Sequence, residues 1–360
     1  MSPNDCEAPP LAILKDDTAK LLDPASASRI YNKGFFGTPL SGGGVELDLI
    51  ETALLLENSK ISVSKDKKLL DSQGLFSYCN PRVPGFETRY IVFRDLRARG
   101  LVVKANHPTA FKVYPRGTVP GKVHSDTWVE AVSERDTFSL PDILALAKRL
   151  VELRKKFVLA LVDEEGDLTY YLLAHKEVHG PSAKGDTAQK KGKGLLLGDK
   201  VFLWDRDFSK HLHSWEFYGK FLSEALGLSL FEAIYLKDLG ILDVLDPRTG
   251  KGMSKKALME YASDLEPVFE TLSGVYCDLK SKGLIVKTGF KYGSHFRAYK
   301  GDPDTTHSQY LIWAAQSDYR TSWPEISRAI RLAHTVNKEF LIGSRKGRTV
   351  EYLGIERMRP

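Results

Sequence analysis

Tyr299, His307 and Lys338 carry side chains that together can cut a phosphodiester without a metal. A phenol can take a proton, an imidazolium can give one, and an ammonium can steady the charge on a pentavalent phosphorus. Tyr299 closes the run HFRAY, in which the two-residue strand period puts His295, Arg297 and Tyr299 on one face and Phe296 and Ala298 on the other. KGDPDTT then turns the chain, and His307 is expected to begin the next strand, so that a hairpin brings it near Tyr299. Lys338 is expected on the helix opened by SWPE, where Ile326, Ala329, Ile330 and Ala333 form the apolar stripe. Arg331, His334 and Lys338 would share the opposite face. On RNA this set implies attack of a 2′-hydroxyl on its own phosphate, leaving a 2′,3′-cyclic phosphate and a 5′-hydroxyl. DNA would be inert. A free tyrosine titrates near 10, so Arg297 and Lys338 are expected to favour its ionised form. Hard divalent ions want oxygen ligands that this trio does not offer, and neither a metal nor another cofactor is expected.

Each residue alone has a commonplace reading. A strand-end tyrosine packs, a histidine after a loop is structural or merely exposed, and a lysine near a helix C-terminus answers the helix dipole. What lifts the trio is recurrence. Tyr114, His124 and Lys155 repeat it, with ten residues from Tyr to His instead of eight and 31 from His to Lys in both.

The recurrence is part of a long internal repeat. FRDLRARGLVVKANHPTAFKVY returns as CDLKSKGLIVKTGFKYGSHFRAY, with Asp95 and Asp278 separated by 183 positions. Pro141 and Pro324 keep the same separation. Further upstream Gly37 answers to Gly219 and Glu51 to Glu232. A solenoid repeats at a much shorter period, so this is one two-part module written twice. HGPSAKGDTAQKKGKG, residues 179–194, holds no large apolar side chain and reads as a solvated linker.

The elements that must hold the trio follow from pattern. Glu46 to Leu56 and Leu228 to Leu236 read as helices. Helices ending at Arg99 and Lys282 are stopped by Gly100 and Gly283, and strands LVVK and LIVK follow. FKVY and FRAY, then TWVEAV and QYLIWA, read as strands. SLPD and SWPE read as capping boxes opening helices of about sixteen residues, and FVLALVD and EFLIGS close each copy as strands. The class is mixed α/β, α+β in its segregation, and duplicated. The expected division is 1–82, 83–178, the linker 179–194, 195–262 and 263–360.

Composition agrees with a globular protein. The 360 residues are 42% hydrophobic and 27% charged, with a net charge of +6 that permits a polyanionic partner without requiring one. Cys6, Cys79 and Cys277 lie far apart and supply neither a disulfide framework nor zinc spacing. No apolar run approaches the roughly 20 residues of a membrane helix, and the N-terminus has no signal-peptide pattern. A cytoplasmic protein with no membrane association is expected.

The run VKTGFKYGSHFRAY, then HSQYLIWA and SWPEISRAIRLAHTVNKEFLIGS, closely resembles the catalytic domain of archaeal tRNA-splicing endonucleases. LGLSLFEAIYL resembles that family's smaller N-terminal domain. The resemblance covers the chain from about Leu21 apart from the linker, and the tandem copies look like the homodimeric type. It implies a small α/β domain and a restriction-endonuclease-like C-terminal domain in each copy. The implied substrate is precursor tRNA with a bulge–helix–bulge. Tyr299, His307 and Lys338 match the family's catalytic residues, and Arg331 and Arg357 match two arginines that clamp a bulge base.

The family's fused members are expected to lose the first triad, yet Tyr114, His124 and Lys155 are present, as a second site or a relic. TGFKYGSHFR is replaced by ANHPTAFK in the first copy. Lys148 stands for Arg331 and roughly Lys176 for Arg357, and PRGTVPGK precedes His124. The second copy is therefore read as the active one. The resemblance also implies that Glu134 and Asp136 of SERDTF enter a basic pocket of the other protomer. Two other classes stay open: a non-catalytic RNA-binding or assembly subunit, and a metal-dependent DNA nuclease, for which no Asp followed by Glu-x-Lys is found.

Overall fold

The computed structural model describes residues 8–107, 109–181 and 191–360. These residues fold as two compact units. One comprises the chain up to Thr137 with Leu146–Ala174 and Arg357–Pro360, the other Phe138–Ala145 with His175–Glu356. Each unit holds a small sheet with its helices and a five-stranded array with its own, so the mixed α/β class and its duplication both stand. Among the described residues no helix is long and apolar enough to cross a membrane.

In the first unit the small sheet runs in the order Thr38–Pro39, Val45–Asp48, Thr18–Leu21, Leu11–Lys15, Ser62–Lys65, Lys68–Leu70. In the second it runs Lys220–Leu222, Ala225–Ser229, Lys200–Leu203, Gly192–Leu197, Leu242–Leu245. The strand Leu11–Lys15 lies inside the expected first domain, 1–82, but ahead of Leu21, where the family resemblance begins, and Gly192–Leu197 starts three residues inside the expected linker. Five alternating residues are too short a signal to separate from loop. Gly192, Lys193 and Gly194 thus belong to a strand paired with Leu242–Leu245. Residues 182–190 of the expected linker lie outside the described residues.

The helices expected from Glu46 and Leu228 start later. Val45–Asp48 and Ala225–Ser229 are strands, and the helices are Leu49–Glu57 and Leu230–Asp238. Asp48 and Ser229 begin them through complete capping boxes with Glu51 and Glu232. Those glutamates do more than cap. Glu51 is buried, accepts the Gly37 N–H at 3.0 Å and holds the Lys104 ammonium at 3.0 Å. Glu232 accepts the Gly219 N–H at 2.9 Å and lies 3.5 Å from Lys287. Since Lys104 and Lys287 sit in the LVVK and LIVK strands, each ion pair ties a small sheet to its own larger array. Both glycines have positive φ, +72° and +67°, and a Cβ there would come within 2.5 Å of the Glu46 carbonyl or 2.9 Å of that of Gly227. The repeat of Gly and Glu noticed in the sequence is this joint.

The larger array of the second unit runs Ile285–Thr288, Phe296–Tyr299, Tyr310–Gln316, Glu339–Lys346, Thr349–Met358. Neighbours are antiparallel except Tyr310–Gln316 and Glu339–Lys346, which run parallel in register Tyr310↔Glu339. Parallel neighbours need a crossover, supplied by helix Trp323–Thr335. The first unit repeats the plan with Val102–His107, Ala110–Tyr114, Thr127–Ser133, Lys156–Val162 and Leu168–Lys176, the parallel pair registering Lys156↔Thr127. A buried core underlies each, with Phe231 stacked on Phe269 at 4.6 Å and edge-on to Phe296 at 5.2 Å in the second.

The helices opened by SLPD and SWPE are Leu140–Glu152 and Trp323–Thr335, thirteen residues each and not sixteen. In SLPD the Ser139 hydroxyl donates to the Asp142 carboxylate. The capping box expected of SWPE does not form: Ser322 makes no side-chain cap, and Thr321 donates to Glu325 instead.

Candidate active site

Lys338 lies beyond the helix expected to carry it. The helix stops at Thr335, Asn337 takes a left-handed φ of +52°, and the Asn337 and Lys338 N–H groups donate back to the His334 and Ala333 carbonyls. This is a Schellman stop with asparagine at its left-handed position. It turns the chain so that Lys338 leads directly into strand Glu339–Lys346. Because that strand is parallel to Tyr310–Gln316, its first residue arrives beside the segment preceding Tyr310. The Lys338 ammonium donates to the Ser308 carbonyl at 3.1 Å. His307, the next residue back, is exposed; it lies in the loop three positions before the strand it was expected to begin.

Tyr299 ends the strand on the other side of that loop, and the Gln309 N–H donates to the Ala298 carbonyl at 3.0 Å. Phe296 and Ala298 are buried in the core as expected, while Arg297 stands on Tyr299's side, its guanidinium 5.6 Å from the phenol ring. One residue that sequence reasoning did not single out completes the arrangement. Tyr292, in the short helix Phe290–Tyr292 of TGFKYG, places its ring 5.9 Å from the Arg297 guanidinium and 5.9 Å from the Lys338 ammonium. Tyr299, Arg297, Tyr292, Lys338 and the Ser308 carbonyl thus follow one another around a single locus, with His307 the residue before Ser308. Its sequence signal was a second aromatic inside the motif absent from the first copy.

Burial pushes the Tyr299 phenol above its ordinary range, and Arg297 opposes that shift without overcoming it. The expectation that Arg297 and Lys338 favour the ionised form holds in direction for Arg297, but desolvation of the buried phenol outweighs that one guanidinium across the ring. Tyr299 is neutral at pH 7. His295, on the same strand face, is occupied otherwise. Its Nδ1 accepts the Ala314 N–H at 2.9 Å and its ring packs on Trp313 at 4.5 Å, so it serves the sheet.

The first copy reproduces the lysine's placement. Arg154 takes the left-handed position with φ of +52°, the Lys155 N–H returns to the Leu150 carbonyl, and the Lys155 ammonium donates to the Ser125 carbonyl at 3.1 Å and hydroxyl at 2.6 Å. Burial, then the Lys112 charge, pushes Lys155 below the usual lysine range. His124 is exposed and Tyr114 half-buried. Among the described residues there is no equivalent of the Phe290–Tyr292 turn here.

Arg331 is exposed on helix Trp323–Thr335, and Arg357 is exposed near the end of strand Thr349–Met358. The residue matching Arg357 in the first copy is His175 and not Lys176. Strand pairing aligns Phe157 with Leu173 and Phe340 with Ile355, and Tyr170 and Tyr352 occupy matching places, each donating to an aspartate at 2.6 Å. Lys176 instead pairs with Glu339 at 2.6 Å. In SERDTF the Asp136 carboxylate accepts the Ser133 N–H at 2.8 Å, within its own turn, and Glu134 accepts the Glu164 N–H at 3.1 Å, in the turn that follows strand Lys156–Val162.

Comparison with known proteins matches this arrangement twice over. The family described as tRNA intron endonuclease, catalytic C-terminal domain, matches residues 86–170 and 269–352. The tRNA intron endonuclease N-terminal domain matches 11–76 and 192–259. Proteins named tRNA-splicing endonuclease are similar along almost the whole chain. That of Methanococcoides burtonii is 39% identical over 96% of this chain and 99% of its own length. That of Methanosarcina mazei is 38% identical over 96% and 98%, and that of Halobacterium salinarum 29% over 96% and 99%.

Proposed function

Because the chain belongs to the tRNA intron endonuclease family, whose members are enzymes of tRNA splicing, we propose that its second copy cuts precursor tRNA at bulge–helix–bulge junctions without a metal. The observation that carries this reading is the run of contacts joining Tyr299, Arg297, Tyr292, Lys338 and the Ser308 carbonyl, one residue beyond His307. Around such a locus the 2′-oxygen loses its proton to the Tyr299 phenolate and bonds to the adjacent phosphorus. The phosphorus–O5′ bond breaks, and His307 protonates the departing oxygen. Lys338 stabilises the added negative charge on the phosphorane. The products are a 2′,3′-cyclic phosphate and a 5′-hydroxyl. Arg331 and Arg357 stack on a bulge base and hold it in line, a task that planar guanidinium groups do better than ammonium groups.

The first copy, with Tyr114, His124 and Lys155, serves as the structural half, and two chains act together as a homodimer through Glu134 and Asp136. The test is single-turnover cleavage of a bulge–helix–bulge RNA in EDTA. Cutting that survives the chelator, leaves a cyclic phosphate and stops when the junction carries a 2′-deoxyribose supports the reading. A metal requirement or undiminished cutting of the deoxy substrate overturns it.

A further inference from the structure

The two copies differ sharply at one place outside their triads. In the first unit a cleft of about 540 Å³ lies between the end of helix Pro24–Gly34, the end of helix Leu49–Glu57 and helix Phe86–Ala98. Four cations line it: Lys33, Lys60, Arg94 and Arg97. Lys33, Lys60 and Arg94 are exposed. Arg97 is fixed, its guanidinium 3.8 Å from the centre of the Phe36 ring and donating to the Gly34 and Leu101 carbonyls. The Glu57 carboxylate stands a loose 3.7 Å from Arg94.

The second copy shows what the same position looks like when closed. Helix Arg206–Glu216 ends, like Pro24–Gly34, in a left-handed phenylalanine, so Trp215, Glu216 and Tyr218 stand where the first copy has Lys33, Gly34 and Phe36. Lys280 replaces Arg97, Cys277 replaces Arg94, and Ile241 replaces Lys60. There the Lys280 ammonium, 1% exposed, pairs with Glu216 at 2.5 Å, and the Tyr218 hydroxyl donates to the same carboxylate at 2.9 Å. The second copy has one cation with its own internal anion. The first has four cations, and glycine in place of the acid.

We propose that the cleft of the first unit binds the phosphodiester backbone of the RNA substrate, as a docking site made of none of the triad residues. A fixed guanidinium on an aromatic floor, ringed by three solvated cations, suits a polyanion whose charges are spaced along a chain. This rests on the reading that the substrate is precursor tRNA. Binding to phosphates releases counterions, so it has a measurable signature. The slope of log K against log salt falls by about 0.7–0.9 for each phosphate that is no longer neutralised.

The experiment measures binding of an intron-containing precursor tRNA, carrying 2′-deoxyribose at both junctions, across a salt series. The proteins are the full chain, Lys33→Gln/Lys60→Gln, and the triple variant that adds Arg94→Gln. The expected result is a graded loss, on the order of 10²-fold in affinity at about 0.1 M salt for the triple variant, with the slope reduced by roughly 2–3. At saturating all-ribose RNA the single-turnover cleavage rate stays at the parent value, which also reports that the variants are folded. Unchanged affinity and slope overturn the proposal. So does a loss of self-association by sedimentation with RNA binding intact, because the cleft then holds an acidic protein segment. If the parent binds with the graded slopes but cuts nothing, it is the cleavage reading that fails and not this one.

Discussion

As the proposed base, Tyr299 sets the pH behaviour expected of the reaction. Its phenol is held above the ordinary tyrosine range by burial, with Arg297 pulling in the opposite direction. A general base in its minority form makes the rate rise with pH only while the imidazolium that protonates the leaving oxygen stays charged; beyond that, each gain in phenolate is cancelled by an equal loss of acid. Single-turnover cleavage is therefore predicted to climb from acid pH and then level off. Arg297→Gln removes the guanidinium beside that ring and lowers the rate across the level region while leaving RNA affinity close to the parent value. A rate still climbing log-linearly to pH 10 would remove the imidazolium donor from the mechanism. Asp48 gives a second pH test, one of stability. Burial, then the neighbouring Glu51, raises its carboxyl to about 7. The folded state therefore holds a proton that the unfolded chain releases near 4, and the stability it contributes is present below pH 4 and lost as pH rises to about 7. Part of Asp48's surface meets solvent, which tempers the size. Asp48→Ser keeps the helix cap, as Ser229 does in the second copy, and is expected to stabilise by about 1–2 kcal/mol at pH 8 and by little at pH 4. Thermal unfolding at both pH values checks this, and an equal shift at both contradicts it.

The elements do the positioning, and here sequence and structure part company for physical reasons. The residue types of the triad and their recurrence were legible because a two-residue strand period and a repeated interval survive in a linear string. Lys338's place was missed because Arg331, His334 and Lys338 continue a helical spacing past Asn337, although asparagine is a residue that takes the left-handed turn ending a helix. The capping boxes show the same limit. Asp48 to Glu51, Ser229 to Glu232 and Ser322 to Glu325 carry one signature, and only the first two close, since their glutamates also receive a glycine N–H and a lysine from elsewhere. In SWPE the carboxylate goes to Thr321. A substitution tests the turn directly. Asn337→Val places a β-branched residue at φ of +52°, at a cost of roughly 1–2 kcal/mol. It is predicted to lower the cleavage rate well beyond what the loss of stability explains, because Lys338 follows it. Asn337→Gly keeps the turn and is expected to keep the rate. Equal losses in the two variants, read by single-turnover cleavage beside thermal unfolding, would detach Lys338 from the turn. At the joint, Glu232→Gln leaves Lys287 beside the Gly219 and Phe217 carbonyls without its anion. Lys287 is partly exposed, so the expected cost is about 1–3 kcal/mol, read by thermal unfolding, and an unchanged melting temperature contradicts it.

In the whole molecule a single module is written twice and has diverged at its chemistry and not at its joints. Both copies keep the glycine–glutamate–lysine tie, the tyrosine–aspartate bond and the lysine after a left-handed turn. Among the described residues only the second keeps the turn that sets Tyr292 between Arg297 and Lys338. The first has Lys148 and His175 where the second has Arg331 and Arg357. The duplication was readable because buried joints constrain residue type at fixed spacing, whereas the central strands of the small sheets were missed because four to six residues carry too little pattern. The central claim is that cutting belongs to the second copy. The measurement that tests it most directly is single-turnover cleavage of precursor tRNA in EDTA by His307→Ala and His124→Ala chains, with each variant's RNA binding measured alongside. His307→Ala is predicted to slow cutting by about 10²–10⁴ with binding retained, the usual worth of a proton donor to a leaving group, and His124→Ala to cost little. Cutting abolished by His124→Ala and spared by His307→Ala would contradict the account.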